Sequence, residues 1–193
     1  ANAAFHTLLV EGVRVPYFHA GEERAHLVRL IDFENPAQNE YLAINQYTIT
    51  EASHTKRPDI LLFINGLPLG LLELKNPADP KADTAAAFRQ VQTYKATIPS
   101  LFAYNGVVVV SDGLQARAGS HTADFSRYLA WRTADGRTEA HRHTSELETL
   151  IRGMLPPATL LDLVRNFTVF EKSKHEDADG TIQIRTEKKI AAY

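Results

Sequence analysis

Two carboxylates and one amine interrupt an otherwise apolar stretch of this chain. Asp59, Glu73 and Lys75 lie within residues 57–75, where two runs rich in Leu, Ile and Phe are separated by an Asn-Gly pair at 65–66. An Asn-Gly pair between apolar runs is a strong signal for a β-hairpin. We therefore predict two antiparallel strands that bring the two carboxylates together.

The register of this hairpin decides whether the carboxylates share a face of the sheet. With a plain two-residue loop, Asp59 would lie opposite Leu72, and Glu73 would point to the other side. One extra residue, from a bulge or a three-residue loop, places Asp59 beside Glu73. Lys75 then follows on the same face, because strand side chains alternate. A shared site therefore requires one extra residue near the turn.

These residue types suit phosphodiester hydrolysis with Mg²⁺, for which Asp59 and Glu73 are the candidate metal ligands. Mg²⁺ binds oxygen ligands and commonly uses one or two carboxylates with water and substrate phosphate. Bound metal lowers the pKa of a water, and an ammonium such as Lys75 can position that water or stabilise the oxyanion. A cation also offsets the repulsion between two partly buried carboxylates. The alternative is a pair of charged residues at a strand edge with a solvated lysine.

A helix after the hairpin contributes two more candidate residues. Asp83 can cap its first turn, and the helix should end before Ile98. Gln90 and Tyr94 lie one turn apart and share a face of this helix. If that face lies beside the hairpin, the Gln90 amide can bind phosphate or base and Tyr94 can pack against the DNA backbone. The alternative is an ordinary amphipathic helix with a Gln at its border.

The remaining pattern predicts an α/β (α+β) fold with a mixed β-sheet flanked by helices. Residues 25–33 alternate in polarity and are predicted to pair with a strand at 41–50. Residues 107–110 are continuously apolar, as in a strand covered on both faces after a helical crossover. Residues 116–131 should form a strand and loop at the sheet edge.

The character of the chain changes at a polar turn near residues 134–137. From Ser145 onward, apolar residues recur at helical spacing, with an interruption at Pro156. The charged residues 172–180 are predicted to be a loop. We therefore expect a main domain at 1–135 and a helical linker at 136–193.

Composition and charge limit the class of protein. The chain has 193 residues, 44% of them hydrophobic, and no Cys, so it can bury a core but has no disulfide or thiolate metal site. The close pair His141 and His143 lacks a third ligand nearby and is predicted to be solvated surface. No signal sequence or membrane-spanning segment is evident, so we expect a cytoplasmic protein with no membrane partner.

The formal net charge of −2 is not that of a stand-alone DNA-binding protein, because nonspecific affinity for DNA comes from neutralised phosphates. Basic residues do occur in and around the candidate site, which predicts either a modest basic rim or scattered surface charges. These residues are Lys56, Arg57, Lys75, Lys81, Arg89 and Lys95.

Pro58-Asp59 followed by Glu73-Leu74-Lys75 resembles the signature of the PD-(D/E)XK nuclease superfamily. A wider set of segments resembles, in the same order, the amino-terminal endonuclease region of the restriction (R) subunit of type I restriction-modification enzymes. These segments are residues 30–36, 45–47, 57–77, 90–95, 104–105 and 111–113.

This resemblance implies a restriction-endonuclease-like fold and a Mg²⁺-dependent endonuclease domain that cuts double-stranded DNA. Asp59, Glu73 and Lys75 would be catalytic, with Asp59 and Glu73 as metal ligands. Gln90 and Tyr94 match the Gln-x-x-x-Tyr motif of the family and would contact DNA.

The resemblance also implies a larger assembly, with methyltransferase (M) and specificity (S) subunits as partners. An ATP-driven motor would follow residue 193. Residues 1–193 lack a Gly-x-x-x-x-Gly-Lys-Ser/Thr loop, so ATP would bind to the motor and not to this region. Helices before residue 1 would supply a further acidic residue. Two alternatives are a non-catalytic docking domain with a nuclease-like fold and a DNA-repair nuclease of the same superfamily.

Overall fold

The structure is a computed structural model, and it describes residues 1–78, 83–176, 179 and 182–191. The helices within this part of the chain are α1 (Asn2–Glu11), α2 (Thr84–Thr97), α3 (Ser100–Tyr104), α4 (Glu146–Gly153) and α5 (Pro157–Asn166). The strands are β1 (Val13–His19), β2 (Glu22–Val28), β3 (Tyr41–Asn45), β4 (Ile49–Glu51), β5 (His54–Lys56), β6 (Ile60–Ile64), β7 (Leu67–Leu74), β8 (Val107–Ser111), β9 (Ala116–Gly119), β10 (Thr168–Glu176) and β11 (Ile182–Ile190).

A five-stranded mixed sheet with the order β3-β6-β7-β8-β9 forms the centre of the fold. The β7–β8 pair is parallel, and the other neighbouring pairs are antiparallel. Helices α2 and α3 lie in the connection between β7 and β8, as a parallel pair requires a crossover. This arrangement confirms the predicted fold class, a restriction-endonuclease-like mixed sheet flanked by helices.

The β6–β7 hairpin contains the extra residue that the sequence requires. Asn65 and Gly66 both have positive φ, 50° and 77°, as in a two-residue turn of type I′. The register shifts between Leu62 and Phe63, and Leu69 is the additional residue on β7. A bulge, and not a longer loop, therefore sets the pairing at the far end of the hairpin.

The sheet separates two apolar layers. The layer against α2 and α3 includes Leu61, Leu71, Val91, Val108 and Val110. The opposite layer includes Leu72 and Val109 from the sheet together with Leu150 of α4, Leu161 of α5 and Met154, which follows α4. The two helices expected in a linker thus pack into the same core as the sheet, and the boundary at residue 135 stays a prediction.

One predicted strand pairing and part of one predicted loop are wrong. Of the strand expected at 25–33, only residues 25–28 are in a strand, β2, which pairs with β1, while β3 pairs with β6. The tight turn at residues 20–21, with φ of 53° and 82°, makes β1 the nearest partner for β2. Residues 172–176 belong to β10 and pair with β11, although they were predicted to be a loop. The sequence of residues 172–176 has no apolar alternation, and residues 177, 178 and 180 of that predicted loop lie outside the described residues.

Lys188 of β11 is buried, with 2% of its surface exposed. Its Nζ donates to the carbonyl oxygen of Asn105 at 2.8 Å, and its backbone N–H donates to Oγ1 of Thr122 at 2.7 Å. Burial lowers the pKa of Lys188 to about 7. The β10–β11 hairpin is therefore fixed to the loops that flank β8 and β9.

None of the described helices is both long enough and apolar enough to cross a bilayer.

Candidate active site

Asp59, Glu73 and Lys75 lie at the ends of two neighbouring strands, on the side of the sheet that α2 covers. Ile60 pairs with Leu72, so the continued register sets Asp59 opposite Glu73, as predicted with the extra residue. On its other side, Glu73 pairs with Val110 of the buried strand β8. Glu73 is only 2% exposed, whereas Asp59 and Lys75 are half-buried.

The carboxylate of Asp59 is fixed by two donors, one in β7 and one in the residue that follows β3. Its Oδ2 accepts a hydrogen bond from the backbone N–H of Leu74 at 2.8 Å. Its Oδ1 accepts from Nε2 of Gln46 at 2.7 Å. Because Leu74 lies between Glu73 and Lys75, Asp59 is bound directly to the strand that carries the other two candidate residues.

Glu73 is also bound at both oxygens. Its Oε1 accepts from Nζ of Lys75 at 2.7 Å, and its Oε2 accepts from the hydroxyl of Tyr94 at 3.1 Å. Burial raises the pKa of Glu73, and the charge of Asp59 raises it further, while Lys75 and Tyr94 act in the opposite direction. The net effect is a carboxylate that holds its proton more readily than an exposed Glu does.

Helix α2 brings Gln90 and Tyr94 to this site. Asp83 caps the helix, since its Oδ1 accepts from the backbone N–H of Ala86 at 2.6 Å, as predicted. Burial and the adjacent charge of Glu73 raise the pKa of Tyr94 far above its ordinary value, and a side-chain hydrogen bond with Gln90 opposes this shift. Tyr94 therefore remains a protonated donor to Glu73. The DNA contacts of Gln90 and Tyr94 stay a prediction.

An open groove gives solvent access to the site. Asp59 and Lys75 line it, and buried Glu73 is connected to it through its hydrogen bond with Lys75. The lining residues are Asn45, Gln46, Asp59, Ile60, Leu74, Lys75 and Asn76. Gln46 is a site residue whose role the sequence did not reveal, because its contact with Asp59 depends on the pairing of β3 with β6.

The donor set of the site fits a hard divalent cation. Asp59 and Glu73 supply only oxygen atoms, and each oxygen that already accepts one hydrogen bond keeps further lone-pair capacity. The described residues contain no cluster of three or more His, Asp or Glu side chains that could hold a metal ion. Two carboxylates suit Mg²⁺, which commonly retains waters and binds substrate oxygens. A cation there would also remove the repulsion between Asp59 and Glu73.

The predicted basic rim is only partly visible. Lys75 lines the groove, but Nζ of Lys95 donates to Gln92 at 2.9 Å. Arg89 is exposed and lies 4.0 Å from Asp83, while Lys81 lies outside the described residues.

His141 and His143 are both exposed, which confirms the prediction that this pair lies on the solvated surface.

The mixed sheet, with paired carboxylates at the end of its central hairpin, defines a restriction-endonuclease-like domain. Residues 1–127 match the family described as the type I restriction enzyme R protein N terminus. The chain therefore belongs to this family, as the sequence resemblance predicted.

Individual relatives agree with the family match. The chain is 44% identical over 195 residues to the type I restriction enzyme HindI endonuclease subunit of Haemophilus influenzae. It is 32% identical over 192 residues to the putative type I restriction enzyme MjaIXP endonuclease subunit of Methanocaldococcus jannaschii. These matches cover 100% and 88% of this chain but only 18% of each relative. The type I restriction enzyme EcoprrI endonuclease subunit of Escherichia coli is 26% identical over 78% of this chain and 48% of that relative.

Proposed function

We propose that this chain is the Mg²⁺-dependent endonuclease domain of a type I restriction enzyme R subunit and that it cleaves double-stranded DNA by phosphodiester hydrolysis. The observation that carries this proposal is the meeting of Asp59, Glu73 and Lys75 on one face of the β6–β7 hairpin, with Nζ of Lys75 2.7 Å from Glu73.

Asp59 and Glu73 would hold the metal, each with a carboxylate already oriented by hydrogen bonds. When bound, Mg²⁺ would supply an activated water and offset the charge that develops on the phosphate. Lys75 lines the groove and is 27% exposed at its side chain, so its ammonium can donate to a phosphate oxygen or hold the attacking water. Tyr94 keeps Glu73 in position, and Gln90 would contact the DNA.

The burial of Glu73 argues against the alternative of a non-catalytic docking domain. A carboxyl group that is 2% exposed is costly to retain without a function. The family match argues against a DNA-repair nuclease, because the relatives carry the names of type I restriction enzyme subunits.

The chain would act within a larger, cytoplasmic complex. The matched region covers only 18% of each of two relatives named as endonuclease subunits, so the ATP-driven motor would lie elsewhere in the protein. The M and S subunits and double-stranded DNA are the proposed partners. With a formal net charge of −2, the chain itself should bind DNA weakly, and the other components would hold the substrate.

Calorimetric titration with Mn²⁺ or Mg²⁺ tests the metal site. The wild-type chain should bind, and the double variant Asp59→Ala with Glu73→Ala should not. Lys75→Ala should still bind metal near neutral pH, because the ammonium is not a ligand. In the full-length R subunit, Lys75→Ala should reduce DNA cleavage by about 10²–10³-fold while ATP hydrolysis continues.

His141→Ala is a suitable control, since His141 is exposed and is not among the residues that line the groove. Equal metal binding by the wild type and the double variant would contradict the proposal. Wild-type cleavage by Lys75→Ala would remove its catalytic role.

A further inference from the structure

We infer that Gln46 is a positioning residue that fixes the Asp59 carboxylate for metal binding. This inference rests on the proposed function, and it assigns a specific task to a residue outside the Asp59, Glu73 and Lys75 set.

Gln46 holds Asp59 through both its backbone and its side chain. It follows the last residue of β3, and its backbone N–H donates to the carbonyl oxygen of Asp59 at 2.9 Å. Its side-chain Nε2 donates to Oδ1 of the same residue at 2.7 Å. One residue of the sheet edge thus sets the position of the Asp59 backbone and the rotation of its carboxylate.

Gln46 makes this contact from a backbone conformation that is uncommon for a non-glycine residue. Its φ is 51°, a left-handed value that few non-glycine residues adopt. Such conformations cluster at functional sites, where surrounding contacts hold them in place. Here the chain turns out of β3 toward β4 directly after Gln46, which leaves the side chain in the groove beside Asp59.

The two donors to Asp59 act together. Leu74 holds Oδ2 from the side of β7, and Gln46 holds Oδ1 from the side of β3. With both oxygens bound, the carboxylate plane cannot rotate freely, so less conformational entropy is lost when a cation binds.

A neutral amide is the appropriate donor at this position. A Lys or Arg there would orient Asp59 equally well but would repel a divalent cation, and a Glu would add a third negative charge. Gln46 leaves the site with two negative charges from Asp59 and Glu73 and one positive charge from Lys75. A divalent cation and one phosphodiester charge then bring the total to zero.

The test compares variants of Gln46 with a neighbour in the same groove. Gln46→Met keeps the side-chain length but has no donor. Gln46→Asn keeps the amide and tolerates positive φ, but it is one methylene too short to reach Asp59. Asn45→Ala is the matched control, because Asn45 lines the groove and is exposed. Urea unfolding verifies that each variant folds.

Each variant is titrated with Mn²⁺ by calorimetry. We expect both Gln46 variants to weaken Mn²⁺ binding by about 10–100-fold, the usual effect of removing a group that orients a metal ligand. Asn45→Ala should change the affinity by less than about 3-fold.

A second readout separates positioning from catalysis. In the full-length R subunit, Gln46→Met should raise the Mg²⁺ concentration needed for half-maximal DNA cleavage, while the rate at saturating Mg²⁺ recovers. Lys75→Ala should lower the rate at every Mg²⁺ concentration.

Wild-type Mn²⁺ affinity in both folded Gln46 variants, with binding lost in Asp59→Asn, would overturn the role of Gln46 and leave the proposed function intact. Equal binding by the wild type and Asp59→Asn would overturn the metal site itself, and the role of Gln46 with it.

Discussion

At the scale of single residues, the site is asymmetric. The side chain of Glu73 is 3% exposed, whereas that of its partner Lys75 is 27% exposed. The acid is therefore inside the protein and the amine is at the surface of the groove. Breaking such a pair leaves the buried member without compensation, because burial raises the pKa of Glu73 and the hydrogen bonds from Lys75 and Tyr94 oppose that shift.

The raised pKa of Glu73 predicts a pH-dependent metal affinity. As the pH falls through this raised value, protons compete with the cation and binding weakens. Tyr94→Phe removes a hydroxyl that lowers the pKa of Glu73, so its binding profile should shift to higher pH. Well above that pKa, the variant should bind metal almost as the wild type does.

Calorimetric titration with Mn²⁺ between about pH 5 and about pH 8 measures this shift. Tyr17→Phe, which changes an exposed tyrosine of β1, is the control. Identical profiles for Tyr94→Phe and the wild type would show that the hydroxyl does not stabilise the charged form of Glu73.

The sequence predicted that the carboxylates of Asp59 and Glu73 lie together, but it did not predict every residue that fixes their positions. Asp59 and Glu73 could be placed together because one hairpin contains both. Gln46 could not be found in this way, because its partner is 13 residues away and is reached only through the β3–β6 pairing. That pairing was itself predicted incorrectly.

At the scale of elements, the β6–β7 hairpin shows what local pattern can and cannot specify. The Asn-Gly turn and the need for one extra residue followed from the sequence. The choice of Leu69 as that residue did not, although Leu69 lies between Pro68 and Gly70, two residue types that often mark a bulge. These two residues indicate the region of the bulge, but they do not determine which residue is the extra one.

The side chain of Asn65, in the turn of this hairpin, also forms hydrogen bonds with another segment of the chain. Its Nδ2 donates to the carbonyl oxygen of Leu30 at 2.9 Å and to Oδ1 of Asn39 at 2.8 Å. Its Oδ1 accepts from the backbone N–H of Glu40 at 2.8 Å. The tip of the hairpin is thereby attached to the segment that leads into β3.

We predict that Asn65→Ala lowers the free energy of unfolding by about 2–3 kcal/mol, because it removes three hydrogen bonds and disfavours the positive φ. Gly66→Ala should cost only about 1 kcal/mol, since its Cβ would meet open space and only the backbone conformation is strained. Urea unfolding of both variants measures the difference. Equal losses would mean that the side-chain bonds of Asn65 contribute little.

At the scale of the whole molecule, helices α4 and α5 pack on the same sheet that carries the candidate site. Leu150 and Leu161 pack with Leu72 and Val109 on the face of the sheet opposite Glu73. Helical spacing predicted α4 and α5, but it could not indicate which surface they cover. The polar β10–β11 hairpin was missed because its pairing depends on backbone bonds between charged strands.

Lys188 attaches this hairpin to the core. Its burial predicts a further dependence of folding stability on pH. Burial lowers its pKa from 10.5 to about 7, so between these values the unfolded chain binds more protons than the native one. The contribution of Lys188 to stability should therefore improve as the pH rises from about 7 toward 10.5. Lys188→Met should stabilise the protein near pH 7 and remove this dependence.

Urea unfolding near pH 7 and near pH 10 measures the effect as a difference from the wild type. Lys189→Met is the control, because Lys189 is partly exposed and pairs with Glu171. The prediction fails if Lys188→Met has the same pH dependence as the wild type.

The bond between Asp59 and the Leu74 backbone has a spectroscopic consequence. The Leu74 amide proton points at a carboxylate oxygen that the proposed metal would share. Its chemical shift and its rate of exchange with solvent should therefore report the state of Asp59 directly. A single backbone resonance, with no label attached to the site, would follow cation binding from within the strand that joins Glu73 to Lys75.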